Sequence, residues 1–247
     1  MTIPELSPYI TSHRYGQPKE IFKAAARKLR ELVPAGAPCR LADLGCANGE
    51  FLHFLGQQFP EWELHGYDRE PAFIRVAREA QPQVAFEVSD LFDIGERFDV
   101  VTMLGTFCIF ADPGPVLEKL TSLAPVLLID GYFNASEIDV RISYRDNSKP
   151  EATGHWRADF HQHAQSTVRA LLEPQRQVEF EPITMGVDLP RNPDAPHINA
   201  WTFKDEHGRR HLTNGLNMIL DDTLLVVTPG ADNDGAAAGG RRSAPGR

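Results

Sequence analysis

The sequence predicts an α/β protein: a doubly wound, mainly parallel sheet with antiparallel strands near its C-terminal end and an insertion at about 132–175. Three observations predict it. Between residues 19 and 130, short apolar runs alternate with segments of helical spacing. Those runs are largely apolar, as strands covered on both faces are. From Val178 onward the helical spacing gives way to strand-like runs separated by turn residues.

Residues Met1–Pro18 are irregular, with three prolines and Gly16. Ile21, Phe22, Ala25, Leu29 and Leu32 then recur at helical spacing, so a helix is expected over about Lys19–Val33, stopped by Pro34 and Gly36. Arg40–Leu44 reads as a first strand and Glu50–Phe59 as a helix ended by Pro60. Glu63–Tyr67 is a second strand, and Pro71–Ala80 a helix with proline in its first turn, where its missing N–H costs nothing. Val84–Val88, Phe98–Leu104 and Val126–Asp130 are further strands, with a helix at Val116–Leu123.

After Gly131 the alternation stops. The polar stretch Asn134–Gly154 fits no element, and Ala158–Leu172 has helical spacing ending near Pro174. Strands are expected at Val178–Met185, Ala200–Lys204, His211–Thr213, Leu216–Leu220 and Thr223–Thr228, with turns at Asp205–Gly208 and Asn214–Gly215. Residues 230–247 hold Gly, Ala and Arg with no large apolar side chain, and a disordered tail is expected. The expected organisation is an N-terminal helix region at 1–36, a main domain at 37–229 and the tail.

The 247 residues are 42% hydrophobic and 24% charged, a globular composition. Lys and Arg number 25 against 34 Asp and Glu, a net charge of −9, which opposes a broad phosphate-neutralising surface for nucleic acid. Cys39, Cys46 and Cys108 are too few for a disulfide framework and form no CxxC pair, so no metal is expected. No apolar run approaches the ~18 residues of a membrane span, and no secretion signal stands at the start, so a cytoplasmic protein is expected.

The most informative stretch is Leu41-Ala42-Asp43-Leu44-Gly45-Cys46-Ala47-Asn48-Gly49-Glu50-Phe51, a strand, a glycine turn and a helix. Gly45 and Gly49 permit positive φ and close backbone approach, so a ligand can cross the strand's carboxyl end. The glycines alone fit a ligand-free turn equally well. Two acids at later strand ends favour the ligand: Asp68 stands where doubly wound sheets bind ribose hydroxyls, and Asp90 where an adenine amine can be accepted.

In these residues the chain resembles the Rossmann-like methyltransferases that use S-adenosylmethionine. Asp43–Gly49 follows their first motif, D/E-x-G-x-G-x-G, with Ala47 in place of the central glycine, and Phe98-Asp99 resembles the start of their fourth strand. The likeness covers roughly Arg40–Asp130. It implies donor contacts from Asp43, Gly45, Cys46 and Gly49, with Ala47, Asn48, Arg69 and Leu104 completing the set. It implies a ribose contact from Asp68 and adenine contacts from Asp90 and Leu91. The N-terminal helix is expected to lid the site, with Tyr15 touching the donor. The G-x-x-x-G spacing also opposes a nicotinamide dehydrogenase, whose pyrophosphate needs G-x-G-x-x-G.

The Asn/Asp-Pro-Pro-aromatic motif of the amino-methylating enzymes for nucleobases and glutamine is missing at Leu104–Phe110. The expected activity is methyl transfer to O, N or C of a small molecule, a saccharide or secondary metabolite. The insertion at about 132–175 is expected on the acceptor side. Acceptor contacts are expected from Phe107, Tyr132, Phe133, Arg145 and Trp156. His155 or His161 is the expected base, since imidazole accepts a proton near neutral pH. If Ala158–Leu172 is helical, His161 and His163 point about 200° apart. The competing readings are an RNA or protein methyltransferase and a catalytically silent binding protein. A small-molecule acceptor and a second copy of the chain are the expected partners, without membrane or nucleic acid.

Overall fold

A computed structural model describes residues 15–146, 156–173, 175–191, 200–213, 218–220 and 222–230. Helix α1 (Glu20–Leu32) is followed by β1 (Arg40–Leu44), α2 (Glu50–Gln58), β2 (Glu63–Asp68), α3 (Pro71–Ala80) and β3 (Ala85–Val88). Then come β4 (Val100–Met103), α4 (Pro113–Leu123) and β5 (Val126–Asn134). Strands β6 (Val140–Asp146) and β7 (Trp156–Ala164) precede α5 (Gln165–Leu172) and β8 (Arg176–Pro182). The chain continues through β9 (Trp201–Lys204), β10 (Arg210–Thr213), β11 (Ile219–Leu220) and β12 (Asp222–Pro229).

The main sheet runs β3-β2-β1-β4-β5-β12-β8. The pairs among β1 to β5 are parallel, and β12 lies antiparallel between β5 and β8. A separate antiparallel sheet holds β11-β10-β9. The strand period of two divides the core into two layers. Leu41, Val100, Leu128, Leu224 and Val226 face α1, α2 and α3, where Leu29, Leu52 and Ile74 are buried. Ala42, Leu44, Val101, Met103, Leu127, Ile129, Leu225 and Val227 face α4 and α5, where Leu117, Leu120 and Val168 are buried. The central strands therefore carry apolar side chains toward both layers, with Asp43 and Thr102 the buried polar exceptions on β1 and β4.

Helix α1 buries Phe22, Ala25 and Leu29, and its Phe22 ring lies 5.2 Å from that of Phe51 on α2. Its charged side reaches β8. Arg27 pairs with Glu181, and Lys28 pairs with Glu31, Glu179 and Glu181. The pairs with Glu179 and Glu181 tie the helix to β8, with its N-terminal end beside the turn after β1.

Two expectations are corrected. The proposed helix at Ala158–Leu172 is strand up to Ala164 and helix only from Gln165. Trp156–Ala164 has period two, but the side chains on its buried face include His161 and His163, so no apolar alternation marks it. His161 and His163 consequently share a face instead of diverging, with ring centroids 6.4 Å apart. The second correction concerns Asn134–Gly154, which holds strand β6, paired with β7 from Val140↔Gln162 to Asp146↔Trp156. Strand β5 also runs to Asn134, past the expected end at Asp130. The Asp205–Gly208 turn joins β9 to β10, with Gly208 at φ +76°. Asn214–Gly215, the first two residues of Leu216–Leu220 and the 231–247 tail lie outside the described residues, and the rest of that expected strand holds β11. Among the described residues, no helix is long and apolar enough to cross a membrane.

Leu225 is fully buried on β12, between Ile129 of β5 and Phe180 of β8. Leu225→Ala should cost about 2–5 kcal/mol, measured by denaturant unfolding.

Candidate active site

The site is built on the turn from β1 into α2. The Tyr67 carbonyl at the end of β2 accepts from the N–H groups of both Gly45 and Cys46, at 2.8 and 3.0 Å. Asp68 follows, its Oδ2 accepting from the Ala47 N–H at 2.9 Å and its Oδ1 from the Glu70 N–H at 2.9 Å. Gly45 and Gly49 have φ of +77° and +79°, and Ala47 has φ of 48°. A Cβ on Gly45 would stand 2.5 Å from Thr106 Oγ1, and one on Gly49 2.7 Å from the Phe86 ring. Both glycines are thus required by backbone conformation and by packing. Ala47 holds a left-handed conformation that costs a side-chain-bearing residue roughly 1–2 kcal/mol.

Around this turn lies a cleft with two compartments that share Gly45. The first is mainly apolar. Leu91, Phe92, Ile94, Met103, Ile109 and Phe110 line it, with Asp68, Arg69 and Asp90 among them. Asp90 Oδ1 accepts from the Phe92 N–H at 3.0 Å and so starts the short 3-10 turn Leu91–Asp93 that forms one wall. The second compartment is polar. Lys19, Asp43, Cys46, Ala47, Asn48 and Glu50 line it with Phe22, Phe51 and Leu104.

Asp43 is buried at 3% exposure, and its Oδ1 accepts from the Thr102 hydroxyl at 2.7 Å. Burial drives its carboxyl up to about 7 and the charge of Asp68 adds to this, while the Thr102 bond and Lys19 oppose it. Burial likewise raises Asp68, against the two backbone N–H groups it accepts from. Lys19 Nζ stands 4.0 Å from Glu50 Oε2. A cationic group entering this compartment finds two acids, Asp43 and Glu50. The apolar compartment, with acids at its edge, suits a flat heterocycle carrying hydroxyl and amine donors. The chemistry of both halves fits S-adenosylmethionine.

Most of the expected donor residues are thereby brought together. Gly49 stands behind the turn, and the Tyr15 hydroxyl donates to the Asn48 carbonyl at 3.0 Å, at the edge of the polar compartment. Sequence reasoning missed Lys19, Phe22 and Glu50. Glu50 was adjacent to the motif, but nothing marked Lys19, which reaches the cleft only because α1 crosses it.

The expected acceptor residues are not gathered at this cleft. Phe107 is fully buried, its ring 5.7 Å from Phe133 and 5.3 Å from His163, and Phe133 is itself buried. These rings belong to the core layer against α4 and α5. Tyr132 points to the other face and packs on Phe160 at 4.9 Å. Arg145 and Trp156 lie on the paired strands β6 and β7. His163 Nε2 donates to the Phe110 carbonyl at 3.1 Å. His161 is buried with neither ring nitrogen hydrogen-bonded among the described residues, and burial lowers its basicity. Neither ring borders the cleft. His155 lies outside the described residues.

A strand order with one antiparallel strand inserted beside β5, and a cleft over the carboxyl ends of the parallel strands, define the fold of the Rossmann-like methyltransferases. Residues 42–125 match a family described as a methyltransferase domain. The trans-aconitate 2-methyltransferase of Methylobacterium nodulans is 39% identical over 66 residues, 27% of this chain and 26% of that protein. That of Variovorax paradoxus is 38% identical over a stretch of the same length. The match therefore spans about a quarter of the curated relatives' length. Among solved structures, the sugar N-methyltransferase KedS8 from Streptoalloteichus shares the fold with a TM-score of 0.58 and 20% identity, over 93% of this chain and 95% of that one. The plantazolicin methyltransferase BpumL, solved with S-adenosylhomocysteine, has a TM-score of 0.53 and 16% identity, over 73% of this chain and 76% of that one.

Two predictions follow from the turn and the buried acid. Ala47→Gly should relieve the left-handed strain and stabilise the chain by up to about 1 kcal/mol, the strain less the entropy glycine loses on folding, read from denaturant unfolding. Asp43 should make the free chain less stable as pH rises. Its native pKa of about 7 lies above the ordinary 3.8, so between those values the native state holds a proton that the unfolded chain has lost. The stability difference between Asp43→Asn and the parent should shift in favour of Asn by about 1–3 kcal/mol from pH 5 to pH 8. A pH-independent difference would show that Asp43 is ionised throughout.

Proposed function

We propose that the chain is an S-adenosylmethionine-dependent methyltransferase that acts in the cytoplasm on a small molecule, a saccharide or secondary metabolite, at O, N or C. The observation that carries this reading is the two-compartment cleft, with Asp43 and Glu50 at one end and Asp68 and Asp90 at the other. The relatives support it: they are named for a small organic acid and a sugar.

In this reading Asp43, Glu50 and Lys19 hold the amino-acid end of the donor. Asp68 keeps lone pairs for ribose hydroxyls beyond its two backbone bonds, and Leu91, Phe92 and Phe110 enclose the adenine beside Asp90. When bound, the donor supplies a methyl group already activated on a sulfonium. The protein's work is then to orient the acceptor and exclude water. Helix α1, tied to β8 by Arg27 and Lys28, covers the amino-acid end and keeps Lys19 and Phe22 in place.

Calorimetry with S-adenosylhomocysteine tests the donor site. Asp68→Ala alone is ambiguous, because it also removes the acceptor of the Ala47 and Glu70 N–H groups. It should weaken ligand binding by about 1.5–3 kcal/mol, as expected for a hydrogen bond to a charged group, and also lower stability. Phe92 separates the two effects, since it is 50% exposed yet lines the cleft. Phe92→Ala should lose about 1 kcal/mol of affinity from one lost aromatic contact with an unchanged melting temperature. Parent-like affinity in both variants would place the donor elsewhere.

A further inference from the structure

Strand β7 buries two histidines where packing alone would favour apolar side chains, and one of them reaches the wall of the cleft. His163 is 2% exposed, with its ring edge-on to that of Phe107 at 5.3 Å. Its Nε2 donates to the Phe110 carbonyl at 3.1 Å, across 53 positions of sequence. A carbonyl only accepts, so Nε2 carries the proton. Burial lowers the basicity of the ring, which stays neutral at pH 7. Phe110 ends the short 3-10 turn Phe107–Ile109, and Thr106, Ile109 and Phe110 line the apolar compartment. Within this turn the Ile109 N–H donates to the Thr106 carbonyl and the Phe110 N–H to that of Phe107, both at 3.2 Å. Two such bonds hold a 3-10 turn weakly, because their geometry is poor.

We propose that His163 is a positioning residue for the donor: its hydrogen bond to the Phe110 carbonyl sets the wall on which the adenosine end packs. The proposal rests on the donor reading above. A leucine at 163 would fill space beside Phe107 but would remove this bond. The histidine is itself held in register. Strand β7 pairs with β5 through Phe133↔His163. Asp139 accepts from the Ala164 N–H at 2.8 Å and from the Thr167 hydroxyl at 3.1 Å, which fixes the end of β7. The turn is thus anchored twice, by the buried Phe107 ring against Phe133 and by His163 on the carbonyl of Phe110. In this way the insertion at about 132–175 serves the donor.

Without the bond, the turn keeps only its internal contacts and the Phe107 anchor. The apolar compartment is then fully formed in part of the population, and the apparent affinity falls by that fraction. The loss belongs to the adenosine end. The polar compartment is built from the start of α1, the glycine turn and Leu104, so an amino-acid end bound there keeps its contacts. His163 does not border the cleft and acts through Phe110.

S-adenosylhomocysteine and methylthioadenosine, which lacks the amino-acid end, test this by calorimetry on the full chain, well below its melting temperature. His163→Leu should weaken both ligands by the same factor, about five- to tenfold, the equivalent of one ordinary hydrogen bond. His163→Gln, whose amide nitrogen reaches as far as Nε2, should stay within about twofold of the parent. His163→Asn, which reaches only as far as Nδ1, should behave like His163→Leu. A lower melting temperature with parent-like affinity in His163→Leu is the result a merely structural histidine gives, and it would overturn the proposal. So would a larger loss for S-adenosylhomocysteine than for methylthioadenosine, which marks a cleft disturbed throughout, or a failure of His163→Gln to restore binding. If His163→Leu does not fold, the contrast between His163→Gln and His163→Asn decides, and equal affinities overturn the proposal. A parent that binds neither ligand would overturn the donor reading and this proposal with it. A parent that binds both, matched by His163→Leu, would overturn this proposal alone.

Discussion

The cleft depends on the carboxyl end of β2. Tyr67 and Asp68 provide the acceptors for three consecutive N–H groups of the neighbouring turn, those of Gly45, Cys46 and Ala47. A turn with left-handed residues at three positions would otherwise relax, since within it the backbone supplies one hydrogen bond, from the Gly49 N–H to the Cys46 carbonyl. Because β2 pairs with β1 in the register Leu44↔Tyr67, the acceptors arrive where the turn needs them. An error of one residue in that register would point Asp68 to the opposite face of the sheet. The same carboxylate thus shapes the turn and presents its remaining lone pairs to the cleft. This double duty explains why it tolerates burial.

Charge is distributed with equal economy. The polar end of the cleft holds Asp43 and Glu50 around Lys19. Buried acids of this kind are costly unless a cation or a shared proton compensates them. Lys19 is delivered by α1, and α1 is held by the ion pairs of Arg27 and Lys28 with β8. The electrostatics of the site therefore rest on contacts made at the far edge of the sheet.

The half of the fold that carries the cleft was legible in the sequence for a simple reason. Its strands are mostly apolar, and the acids of the proposed donor site stand at strand ends, where local sequence defines them. Asp43, Asp68 and Asp90 could be read without tertiary information. The C-terminal half was harder. Strand β7 turns His161 and His163 inward, so its period of two was disguised by polar letters. Phe107 and Phe133 looked like pocket walls but fill the core, because an aromatic near a strand end suits either role. Asp130 and Asp222, hydrogen-bonded side chain to side chain, were invisible as a pair. Only the antiparallel pairing of β5 with β12, where Asp222 stands opposite Tyr132, brings them together.

That pairing also sets an order of events during synthesis. The strand inserted between β5 and β8 is the last in the described chain, so the sheet stays open beside β5 until residues near Pro229 leave the ribosome. Until then the inner edges of β5 and β8 expose unpaired backbone groups, a template for wrong partners. The β1–α2–β2 segment, by contrast, needs only local contacts and can form early. A nascent chain would therefore shape the glycine turn well before it seats β12 between β5 and β8. Stalled or shortened forms would be the ones most prone to edge-to-edge aggregation.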